Sequence, residues 1–267
     1  YVGGQPNGDY AATIPHSVFM IFQCMFAVIT PALMIGAFAE RMKFSAFLVF
    51  TVLWATLVYD PLAHWVWGTG GWMRTLGGLD FAGGIVVHAS SGVSALVLCL
   101  LLGKRLGYQR VPFRPHNLPF TVLGGALLWF GWFGFNAGSA LGASPIATMA
   151  FLTTNTASAV AMLTWIVLDR MRGLKVSALG ASIGAVVGLV GITPAAGYVT
   201  VGASITIGVL TAIACNVAVH WKSQSTLDDT LDVFPCHGVG GMAGMLLTGV
   251  LASKAVNAGG ADGLLFG

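Results

Sequence analysis

Two histidines, His88 and His237, lie within long stretches free of charge, residues 81 to 103 and 233 to 253. An ionisable side chain embedded in apolar sequence of that length is a functional candidate by default. Neither stretch holds a carboxylate, so both rings are expected as neutral imidazoles. Each then offers one hydrogen-bond donor and one acceptor, enough to position a small polar molecule or relay a proton. The plainer alternative is a ring bonded to a neighbouring helix. A shared spacing links the two: Asp80 precedes His88 by eight residues and Gly92 follows by four, and Asp229, His237 and Gly241 repeat that interval. A metal site needs a third ligand, which the sequence does not supply. Cys24, Cys99, Cys215 and Cys236 lie in apolar segments without CxxC spacing, which argues against a zinc site and a disulfide framework and leaves them as packing residues; no cofactor is expected.

Other side chains carry two readings each. Asp80 stands in Leu79-Asp80-Phe81-Ala82-Gly83-Gly84, where it either caps a helix or lends negative potential to a cation arriving from outside. Phe26, Trp67, Trp132 and Phe135 fall in or beside apolar spans, where aromatic rings serve as core or as an interfacial belt. Asn136-Ala137-Gly138-Ser139 reads as a helix end whose Ser139 hydroxyl faces a vestibule or caps a backbone group. Asp60, before Pro61, reads as a buried or interfacial carboxylate without an assigned role.

The elements that position these groups follow from composition. Of 267 residues, 56% are hydrophobic and 8% charged, against about 25% charged in a soluble domain. A soluble globule is excluded. Formal charge is only +3, from 12 Lys/Arg and 9 Asp/Glu, with no basic stripe for nucleic acid. A spanning helix needs about 20 apolar residues. The pattern predicts eight helices, at 14 to 39, 44 to 67, 82 to 103, 118 to 136, 145 to 169, 176 to 193, 198 to 222 and 231 to 252, separated by Gly, Pro and Asn. Of the Lys/Arg, only Arg74 and Lys254 fall outside the loops after the first, third, fifth and seventh helices. Those loops are therefore expected to be cytoplasmic, with Tyr1 outside and a multi-pass arrangement in the cell membrane. No signal peptide is read at the start of the sequence. Small residues such as Gly180, Ser182, Gly184, Gly188 and Gly191 suit close helix contact in lipid. The helices of His88 and His237 are the third and the eighth, so they run antiparallel, as in an inverted repeat with a site near the midplane. The expected fold class is an all-α, polytopic membrane helix bundle as a single domain, with the short shared spacing hinting at the inverted-repeat pseudo-symmetry that the family resemblance below implies.

Four segments carry a family resemblance: Leu79 to His88, Pro115-His116-Asn117-Leu118-Pro119, Gly131-Trp132-Phe133-Gly134-Phe135-Asn136-Ala137-Gly138-Ser139, and Val233-Phe234-Pro235-Cys236-His237-Gly238. They resemble the ammonium transporter family (Amt/Mep, related to the Rhesus proteins), over essentially the whole chain and closer to the Amt branch. The resemblance implies eleven spans in the complete protein, of which this sequence matches the third to the tenth. It implies that His88 and His237 are the twin histidines of a pore and that Phe26 and Phe135 gate it. It also implies that Trp67 and Ser139 join Phe26 at an outer recruitment site for ammonium, with Asp80 beside it and Trp132 lining the pore below. One extra residue separates Trp67 from Asp80 relative to the family pattern, and Trp65 stands two positions away. By the same resemblance the function is ammonium transport, with an ammonium sensor on the same fold as the alternative. A homotrimer is implied, with a PII-type signal protein as a possible partner at Arg41, Lys43, Lys104 and Arg105. An enzyme using Asp80 and His88 is disfavoured, because no nucleophile or metal constellation accompanies them.

Overall fold

The computed structural model describes residues 3–267, among which an isolated Asn7–Ala11 bridge is the only extended pairing. Tyr1, expected outside the membrane, is beyond the described residues. Eight long helices follow the predicted order: α1 His16–Phe38, α2 residues 44–67, α3 Gly84–Leu102, α4 Leu118–Gly138, α5 Pro145–Met171, α6 Ala178–Ile192, α7 Val201–Gln224 and α8 Phe234–Leu251. Local chemistry sets several of the starts. Asn117, Ser144, Ser177 and Thr200 each accept a backbone N–H from three residues ahead, from Phe120, Ala147, Gly180 and Ala203. Such caps satisfy one of the amides that a helix N-terminus leaves unpaired.

Seven of the eight are long and apolar enough to cross a membrane. The exception is α6, whose 15 residues rise about 22 Å against a hydrocarbon core of roughly 30 Å. Beyond Ile192 the chain continues as turns at 193–198, nearly all buried. Irregular backbone at that depth is tolerated because protein covers it: Thr153 Oγ1 donates to Ala196 O at 2.8 Å and Phe81 N to Pro194 O at 3.0 Å. Small residues make the contacts close. A Cβ added at Gly184, Gly188 or Gly208 would strike α5, and one at Gly244 would strike Gly191 of α6. Outward faces are apolar, with Leu101, Phe130 and Leu246 more than 70% exposed, as suits contact with lipid or with further helices.

The connections sort to two ends. At one end the loops after α1, α3 and α7 meet. Arg105 grips Asp228 through Nε and Nη2 (2.9–3.1 Å), Arg41 Nη1 stands 4.0 Å from the same carboxylate, and Tyr108 donates to Leu227 O. At the other end the N-terminal segment and the segments after α2, α4, α6 and α8 surround a cavity. Ten of the twelve Lys/Arg lie at the first end, eight in its loops and Arg170 and Lys222 in the last turns of α5 and α7, and the positive-inside rule assigns that end to the cytoplasm and the cavity to the outside.

Candidate functional site: a ring-lined path to a histidine pair

The two histidines meet. Asp80 opens α3 as a cap: its two oxygens accept N–H bonds from Gly83, Gly84, Ile85 and Val86 at 2.6–3.4 Å. Gly83, at φ 118°, turns the chain into the helix. The first turn, Gly84–Ala89, is a wide π turn carrying His88. Helix α8 opens in the same way on Phe234–Val239, which carries His237, with Phe234 N donating to Asp229 at 2.8 Å. Contacts between the two helices are reciprocal. A Cβ on Gly92 would collide with the backbone of His237 and Gly238, and one on Gly241 would lie 2.9 Å from Ala89 N and from His88 Cβ. The repeated Asp, His and Gly spacing therefore corresponds to an antiparallel pair in which each glycine makes room for the other helix's histidine turn.

Nδ1 of His88 and Nδ1 of His237 are 3.2 Å apart, with the rings stacked at 5.3 Å. Between two neutral imidazoles such a bond needs one donor and one acceptor. The outer nitrogens are then complementary, one ring presenting an acceptor Nε2 and the other an Nε2–H. His88 is fully buried, and its Nε2 has no hydrogen-bond partner among the described residues.

Rings connect this pair to the outer cavity. Trp67 meets Phe26 edge-on at 5.5 Å, Phe26 lies 4.7 Å from Phe135, and Phe135 lies 5.9 Å from His88. Trp132 flanks the run, 5.1 Å from Phe135 and stacked on His88 at 5.3 Å. The cavity, about 720 Å³, is lined by Phe26, Trp67, Asp80 and Ser139, and also by Arg74 and Tyr198. Trp67 is the tryptophan that faces it, donating from Nε1 to Asp80 O at 2.8 Å, whereas Trp65 is 42% exposed and packs on Trp72. Ser139 Oγ donates to Phe135 O, and so caps the end of α4 while bordering the cavity.

Of the two readings of Asp80, capping is the one its hydrogen bonds describe. Sequence reasoning missed Arg74, whose guanidinium donates to Trp67 O at 2.7 Å. It also missed Thr193, which accepts from Trp132 Nε1 at 2.9 Å. The signal for Thr193 was the Thr193-Pro194 break at the end of a Gly-rich helix.

Fold and site together define a polytopic membrane bundle with an inverted pair of histidine helices at the end of an aromatic path. The chain belongs to the ammonium transporter family, whose model matches residues 3–267. It is 56% identical over 267 residues to an ammonium transporter of Bacillus subtilis (strain 168), covering 100% of this chain and 65% of that relative. Its fold superposes on the crystal structure of Saccharomyces cerevisiae Mep2 with a TM-score of 0.88 at 44% identity, covering 94% of this chain and 59% of that one. A structure titled a sensor Amt protein matches with a TM-score of 0.82 at 31% identity, covering 91% and 64%. The chain thus spans less than two thirds of the length of these relatives.

Proposed function

We propose that the chain forms the conducting core of an ammonium transporter. Ammonium gathers at Phe26, Trp67 and Ser139, gives up its proton, and ammonia passes Phe26 and Phe135 to reach Trp132, His88 and His237. The observation that carries this reading is the unbroken run of rings from the outer cavity to a buried, unpartnered nitrogen on His88. Magnitudes favour deprotonation. A desolvated cation–π contact contributes about 2 kcal/mol, whereas a charge at the bilayer centre costs about 2.5–3.5 kcal/mol on insertion scales and roughly 10–17 in simulations. The rings collect the cation but do not carry it across as an ion. Potassium has no proton to release and is refused by the same route. The proton leaves along the imidazoles or returns outward.

The family resemblance, to the third through tenth of eleven helices, supports reading this sequence as a segment of a longer protein. The family resemblance supports a homotrimer, with the basic cytoplasmic rim at Arg41, Lys43, Lys104 and Arg105 as the place for a PII-type protein. A second reading, ammonium sensing without net flux, draws on the likeness to the sensor structure.

The test is ammonium-evoked current from proteoliposomes of the complete chain, set against potassium and against His88→Ala. Current with ammonium alone, altered by the substitution, is expected. A potassium current independent of ammonium would falsify the deprotonation step. Saturable ammonium binding without current or methylammonium uptake would move the assignment to the sensor.

A further inference from the structure

The turns after α6 touch both sides of the ring-lined path. Thr193, fully buried, opens them, and its hydroxyl donates to Leu189 O at 2.7 Å. With its one proton committed there, its lone pair receives the Trp132 indole N–H at 2.9 Å. An indole has no other polar atom, so Trp132 turns only carbon toward the path. Its ring lies within 15° of the His88 plane. The next residue, Pro194, accepts from Phe81 N, and its ring occupies the space that a Cβ on Gly84 would need. One short segment therefore fixes Trp132 on α4 and abuts the first residue of the turn bearing His88.

We propose that Thr193 is a positioning residue: it holds the Trp132 ring flat against His88 and keeps the indole N–H out of the ammonia path. This rests on the transport reading above. Without the hydroxyl, the indole N–H is a buried donor in need of an acceptor, and in the tautomer whose Nδ1–H faces His237 the open His88 Nε2 accepts it once the indole tilts out of its stack. An indole bonded there would close the nitrogen to ammonia. A tilted ring would also narrow the path, and more so for a methylated amine.

Thr193→Val keeps the shape and removes the acceptor, while Thr193→Ser keeps the acceptor. In proteoliposomes of the complete chain, normalised per folded molecule, Thr193→Val is expected to lower ammonium flux about tenfold, the scale of one buried bond lost. Methylammonium should fall further, a change of ratio that a smaller folded fraction would not produce. Thr193→Ser should restore both. Independently of transport, the Raman band of the indole N–H, isolated by subtracting the Trp132→Phe spectrum, should shift in Thr193→Val and return in Thr193→Ser. An unshifted band, or an unchanged flux ratio with the band shifted, overturns the proposal. If the wild-type chain carries no ammonium, the transport reading fails with its part of the proposal, and the Raman comparison still decides whether Thr193 holds Trp132.

Discussion

Adding one methyl group at Gly241 should uncouple the histidine pair. A Cβ there would lie 2.8 Å from Gly84 O, 2.9 Å from Ala89 N and 2.9 Å from His88 Cβ. Two of these are backbone atoms, so no side chain can rotate away. Reaching ordinary contact, near 3.4 Å, requires α3 and α8 to separate by about 0.6 Å. That movement takes the Nδ1–Nδ1 distance from 3.2 Å to about 3.8 Å, beyond hydrogen-bonding range. Overpacking of this kind costs about 1–3 kcal/mol, against about 1 kcal/mol gained from replacing a helical glycine by alanine. Gly249 is on the same helix with nothing within 4 Å of its Cβ position, so Gly249→Ala isolates the propensity gain. Thermal unfolding in detergent should rank Gly241→Ala below wild type and Gly249→Ala at or above it. Ammonium flux should be lost in the first and kept in the second. Equal stability and flux in the two variants would refute the account of how the helices meet.

Asp80→Asn leaves one acceptor oxygen where two now serve four N–H groups, and should destabilise the protein by about 1–2 kcal/mol. If unfolding is unchanged while ammonium capture weakens, the cap reading yields to the electrostatic one. At the cytoplasmic end, burial would raise the Asp228 carboxyl, but the Arg105 guanidinium and backbone N–H outweigh it and hold the group below the usual carboxylate range. A depressed value stabilises the fold above the unfolded carboxyl's value, about 3.9, and the benefit disappears as pH falls through the lower folded value. Wild type should therefore lose melting temperature on acidification below about pH 4, and Asp228→Asn, about 3–5 kcal/mol less stable at neutral pH, should show a flatter profile.

The helices were legible because hydropathy runs and Gly/Pro breaks report burial in lipid directly. The interval from Asp80 to His88 to Gly92 and its copy at Asp229 was legible for a similar reason: each residue type does a local job, capping, filling or clearing, that recurs in both halves. The wide turns at 84–89 and 234–239 were not, since hydropathy carries no record of whether an amide bonds four or five residues back. Nor was the Arg105–Asp228 pair, whose members are 123 residues apart in sequence. The choice of Trp67 over Trp65 also needed coordinates, because two positions along a helix turn a side chain to another face. Thr193 stayed hidden because a threonine at a helix end is ordinary in sequence and becomes specific only when Trp132 arrives from another helix.

The bond at the centre joins nitrogen to like nitrogen between two antiparallel turns, yet its two ends sit in unlike surroundings: His88 is fully buried beneath Trp132 and Phe135, whereas His237 is only partly buried. Under the transport reading, the proton on this bond can sit on either ring, so the pair itself sets no direction. If the chain conducts as proposed, direction would come from the unequal mouths, a wide ring-walled basin on one side and an ion-paired clasp on the other, and from the gradients imposed across them.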